Sequence, residues 1–202
     1  DVTPDEKRDP DFHVMPRYWV HEDEVEKAFL RADFKGQALF SWRGIARTTD
    51  VRTAIGTIHP RGPGGGNFDM VLGLAGDRLR WFAAAFSSFV FDFVTRQKLS
   101  NMHLQFSVAK QLPIPPLVSS SQWIADSVDR LNSSRLDPDE AAILRAELDA
   151  IMFHIYGISR DDADYIMETF PIVKRKDIAA HGEYRTKRLI LESYERLTNA
   201  AT

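Results

Sequence analysis

The chain has no cysteine. Disulfides, thiolate metal sites and cysteine nucleophiles are therefore excluded, and the composition suits a reducing, cytoplasmic setting. No apolar run is long enough to span a bilayer, and no signal peptide opens the chain. Six histidines are scattered at His13, His21, His59, His103, His154 and His181 without the four-residue spacing of a helical zinc motif. The glycine run 64–66 lacks the Lys-Ser/Thr and the helix start of a phosphate loop, so it reads as a flexible hairpin tip. No G-x-S-x-G nucleophile elbow is present. Methyl transfer to a base amine would need an Asn/Asp-Pro-Pro-aromatic loop. Pro115-Pro116 follows Ile114, so that loop is absent as well. These absences leave no catalytic residue to name, and no metal or cofactor site within the chain.

What is present is an ordinary globular composition of 202 residues, 44% hydrophobic and 27% charged. The polar opening, DVTPDEKRDPDFH, reads as a linker over residues 1–15 and as the start of a piece cut from a longer chain. Net charge is only -3, but it is unevenly spread. Residues 41–110 hold nine Lys/Arg against four acids, a net of +5, while residues 1–40 and 111–202 are each at -4. A basic middle between acidic flanks is the pattern of a localised phosphate-facing surface.

Local patterns give the order of elements. Residues 16–20 read as a short strand entry after Pro16, and residues 21–31 as a helix with Glu22, Asp23 and Glu24 in its first turn. Strands are expected at 38–45, 51–58 and 68–74, with a Gly/Pro-rich loop at 59–67. Asp77 is expected to cap a helix whose Leu79, Phe82, Phe86, Phe89 and Phe93 form one core stripe. That helix ends in the cationic tip Arg96-Gln97-Lys98 and a polar turn, Ser100-Asn101. An alternating strand at 103–108 and the proline stop at 113–116 follow. Asp92 stands one turn before Arg96, which allows an i,i+4 ion pair.

Beyond the prolines the pattern is helical. A helix starts at Ser119-Ser120-Ser121; a second starts at Asp137-Pro138 and carries Ala141, Leu144, Leu148, Ile151 and Ile155 to Gly157. Ser159 and Asp162 form a capping box for a third that reaches Phe170, and a basic patch, Lys174-Arg175-Lys176, leads to a last helix over 185–197. The fold class is α+β. A mixed domain with a small, mainly antiparallel sheet and helices spans 16–117, and an α-helical segment spans 118–202.

Two polar clusters point to binding rather than chemistry. Arg43, Arg47 and Arg52 interleave with Trp42, Thr48 and Thr49, and Arg96, Gln97, Lys98, Asn101 and His103 form a second group on the helix-to-strand turn. Arginine can grip guanine or a phosphate, threonine can meet a thymine methyl or a phosphate, and Gln, Asn and His can reach base edges. The alternative is that the arginines pair with Asp50 and other acids.

Several segments, in this order, carry a resemblance. They are Pro16-Arg17-Tyr18-Trp19-Val20, the run WRGIARTTDVRT at 42–53, FDFVTRQK at 91–98 closing on Gln111-Leu112-Pro113, RAELDA at 145–150, YGISRDD at 156–162 and Thr169-Phe170-Pro171. The chain resembles the C-terminal part of large bacterial adenine-N6 DNA methyltransferases. These are type IIG-like restriction-modification enzymes and the phage-defence methyltransferases of BREX and DISARM type. The family often has Asn-Ser where this chain has Ser87-Ser88, and Gly-Gly where it has Ser100-Asn101.

The resemblance implies a target-recognition domain that binds double-stranded DNA for the methyltransferase domain of the same parent chain. That parent would use S-adenosylmethionine, with or without an endonuclease. A helical spacer would follow the recognition domain. The alternative reading is a helical module, residues 118–202, that docks partner subunits of a defence complex.

Overall fold

The computed structural model describes residues 3, 6, 9, 11–13, 15, 17–100, 102–118, 122–133 and 136–200. Asn101, Pro16 and the helix start expected at Ser119-Ser120-Ser121 lie outside the described residues. The fold is α+β, with a three-stranded antiparallel sheet followed by a helical C-terminal part.

The chain enters through α1 (Glu22–Arg31), whose acidic first turn complements the helix dipole. Residues 17–20 form no strand; Tyr18 and Trp19 are exposed there. The sheet has the order β2-β1-β3, with β1 (Ala38–Arg43) between β2 (Gly56–Pro60) and β3 (Phe68–Val71). Phe40 is opposite Ile58 on one side and Val71 on the other. As the central strand, β1 is buried on both faces. Leu39 joins Phe29 and Phe34 of a small cluster, and Phe40 and Trp42 enter the main core. Gly56 permits the close β1–β2 approach: a Cβ there would come within 2.2 Å of the Phe40 ring and 2.9 Å of the Ser41 carbonyl oxygen.

Further expectations need correction. Residues 51–55 leave the strand expected at 51–58, because Thr53 donates its N–H to Asp92 and not to a sheet neighbour. His59 and Pro60, expected in the loop, close β2. The single helix expected after Asp77 is two, α2 (Gly76–Ser87) and α3 (Phe89–Lys98), and Asp77 lies in the first turn without capping it. The break is Ser88. Its backbone is extended, its Oγ donates to the Ala85 carbonyl and it accepts the Phe91 N–H. The alternating 103–108 segment is not a strand. It contributes one bridge, Ile45 to His103, and then a single turn of helix, α4 (Phe106–Ala109).

The helical part follows its local signals closely. It comprises α5 (Gln122–Asn132), α6 (Pro138–Ile155), α7 (Arg160–Glu168), α8 (Pro171–His181) and α9 (Arg185–Ala200). Asp137 accepts the N–H groups of Asp139 and Glu140 with Pro138 in the first turn, and Ser159 accepts that of Asp162. Lys174-Arg175-Lys176 is helical, because Pro171 starts α8 ahead of it. One apolar core runs from Phe40, Trp42, Phe86 and Phe91 to Phe153, Met167, Phe170 and Ile190. Residues on both sides of 117–118 contribute to that core. The proline stretch is strapped across it, with Trp81 Nε1 donating to the Pro115 carbonyl and Tyr156 Oη to that of Pro113.

Candidate nucleic-acid interface

The loop after β1 and the segment after α3 are paired through their backbones. Ala46 N–H donates to the Met102 carbonyl at 2.9 Å, and Leu104 N–H to the Gly44 carbonyl at 2.8 Å. Ile45 faces His103 between them, and buried Trp42 Nε1 donates to the Leu104 carbonyl at 2.8 Å. The two polar clusters, some fifty residues apart in sequence, therefore share one edge of the molecule.

Beneath that edge lies Asp92, fully buried in α3. Its carboxylate accepts from Arg52 Nε at 2.6 Å, Arg96 Nε at 3.1 Å and the Thr53 N–H at 3.0 Å. Arg52 also donates to the carbonyls of Ser87 and Ser88, which end α2, and its guanidinium lies 4.1 Å from the centre of the Phe89 ring. Arg96 donates to Thr53 Oγ1 and to the carbonyls of Asp50, Val51 and Thr169, and lies 4.1 Å from the centre of the Phe170 ring. These two arginines, candidates for DNA contact, spend their donors inside the protein. They fix the Asp50–Thr53 backbone to α3 and to the start of α8.

The remaining candidates divide by exposure. Arg43 is partly exposed and ion-paired with Asp50 at 2.9 Å, and its Nε is buried with no hydrogen-bond partner among the described residues. Arg47 and Thr48 lie in an exposed turn, closed where Asp50 N–H donates to the Arg47 carbonyl; Thr53 Oγ1 donates to the same carbonyl. Gln97 and Lys98 are exposed in the last turn of α3, and His103 is exposed at the bridge. Arg47 and Lys98 have no ion-pair partner among the described residues. Thr49, Ile45, Met102 and Phe106 are exposed on the same two segments. Met102 and Phe106 went unread in the sequence because the strand pattern gave Phe106 a place in a sheet.

Among the described residues no cluster of three or more His, Asp or Glu could hold a metal ion. His154 packs: its ring stacks on Tyr194 at 3.9 Å and its Nε2 is 3.1 Å from the Tyr194 carbonyl. Among the described residues no helix is long and apolar enough to cross a membrane. Compared with protein-family models, with curated proteins and with solved structures, the chain finds no match.

Proposed function

We propose that this chain is the DNA target-recognition part of an adenine-N6 methyltransferase of the restriction-modification or phage-defence kind. In this reading it binds duplex DNA through the edge formed by residues 45–49, 97–100 and 102–106. The observation that supports it is the backbone pairing of Gly44 and Ala46 with Met102 and Leu104, which joins the exposed Arg47 and Thr48 to the segment bearing Lys98 and His103. Cations without acidic partners are free to displace counterions from a phosphate backbone. Gln97, Thr48 and His103 offer groups that can meet base edges. Arg52, Arg96 and Asp92 serve as the rigid support that a reading surface needs. Methyl transfer from S-adenosylmethionine belongs to the methyltransferase domain of the parent chain.

Fluorescence anisotropy with a labelled duplex at 50 and 200 mM salt tests the reading. The expected result is binding that weakens steeply with salt. Flat titrations at low salt would overturn it. Flat titrations together with co-purification of a partner subunit would favour a protein-docking module.

A further inference from the structure

A cleft of about 620 Å³ opens between the sheet and the C-terminal helices. Phe40, Ala83, Ala84, Phe89, Leu131 and Leu189 give it apolar walls, and Arg52, Arg145, Asp149, Asp177, His181 and Arg185 give it charge. Half of these groups are already engaged. Arg52 is held by Asp92 at 2.6 Å and Arg185 by Asp139 at 2.8 Å, and Asp177 accepts the Thr186 N–H at 2.6 Å.

Two groups are not. Asp149 is only 7% exposed, and its Oδ1 accepts the Phe89 N–H at 2.7 Å. Its Oδ2 has no hydrogen-bond partner among the described residues. Arg145, four residues earlier on α6 and so on the same helix face, is exposed and has no ion-pair partner among the described residues. Burial pushes the Asp149 carboxyl up to about 6, against the pull of Arg52 and Arg145. A carboxylate oxygen without a protein donor, on a side chain that is otherwise largely buried beside a cleft, is open to a ligand that donates.

We propose that this cleft binds an amino-bearing heteroaromatic ring with an anionic group attached, the chemistry of a nucleoside monophosphate. The volume lies in the range of small-molecule sites. The apolar walls take the ring, Asp149 Oδ2 accepts from its amino group, and the Arg145 guanidinium takes the phosphate. The site does not depend on the DNA-binding reading.

Isothermal titration of the full chain with AMP, with purine riboside 5′-monophosphate (no amino group) and with ribose 5-phosphate (no base) is the test. AMP is expected to bind best, with the amino-free analogue weaker by about tenfold, as for one hydrogen bond to a charged group. Asp149→Asn keeps an oxygen for the Phe89 N–H and turns a donor to the cleft, so it is expected to abolish that difference. Arg145→Ala is expected to weaken both nucleotides by about tenfold with an unchanged melting temperature. A short oligodeoxyadenylate binding more tightly than AMP would assign the site to a nucleotide within a strand, and the reverse to a free nucleotide; either supports the proposal. AMP binding no tighter than ribose 5-phosphate, or insensitive to both variants, overturns it.

Discussion

Arg52 and Arg96 share the carboxylate of Asp92, each through its Nε, although Arg52 stands forty residues away along the chain. Asp92 is fully buried, and the side chain of Arg96 is 9% exposed. Removing one partner strands the others in low dielectric, which costs about 3–5 kcal/mol for a buried pair. Asp92→Asn and Arg96→Ala are therefore both expected to lower the free energy of unfolding by about that amount, read as a shift in urea midpoint. Below the midpoint Arg96→Ala should retain duplex affinity, because its donors face inward. Loss of affinity with normal stability would move Arg96 back to the reading surface.

Arg47 and Lys98 should behave in the opposite way. Both are exposed and without ion-pair partners among the described residues, so replacement by alanine is expected to change stability by no more than about 0.5 kcal/mol. Each replacement should weaken duplex binding and reduce the slope of log affinity against log salt by about one. Measuring the slope at several salt concentrations separates a phosphate contact from a general loss of fold.

The sequence was most legible where a signal is local. Asp137 and Pro138 start α6, apolar residues at 141, 144 and 148 face the core, and Gly157, with φ +69, stands just past its end. The same holds for the Asp92–Arg96 pair, one turn apart on α3. Where two local signals competed, pattern alone misled. The apolar stripe runs unbroken from Leu79 to Phe93, yet the Ser88 hydroxyl takes the Ala85 carbonyl and restarts the helix. His103 to Phe106 alternates like a strand, yet only His103 finds a bridge partner before α4 begins. Of the candidate interface, exposure at Arg47, Thr48, Gln97, Lys98 and His103 agreed with residue type. The inward turn of Arg52 and Arg96 was hidden, because it depends on Ser87, Ser88 and Thr169, which the fold alone brings close.

Gly56 tests the packing of the sheet beneath the edge. An alanine Cβ would meet the Phe40 ring at 2.2 Å, and that ring is itself wedged against Phe82 and Phe86 at 5.1 and 5.0 Å between centroids. The ring cannot retreat without disturbing both neighbours. Gly56→Ala is expected to cost about 1–3 kcal/mol, the usual penalty of overpacking, seen as a lower melting temperature.

Asp149 gives a pH dependence whose sign is fixed by burial. Its carboxyl is raised from 3.8 to about 6, chiefly by desolvation, so folding disfavours the ionised form. The stability tied to this group is complete below about pH 4 and is lost as pH rises through 6. At neutral pH the penalty is on the order of 3 kcal/mol, two pKa units at 1.36 kcal/mol each. Glu168 acts in the other direction: hydrogen bonds from Lys174 and Lys187 lower its pKa, so its contribution is lost as pH falls into the acid range. Between pH 4.5 and 7 the Asp149 effect should dominate. Unfolding free energy is expected to decline across that window in the native chain and to stay nearly flat in Asp149→Asn, with the variant the more stable at pH 7. An identical slope in both proteins would show that Asp149 stays ionised throughout, its charge balanced by Arg52 and Arg145.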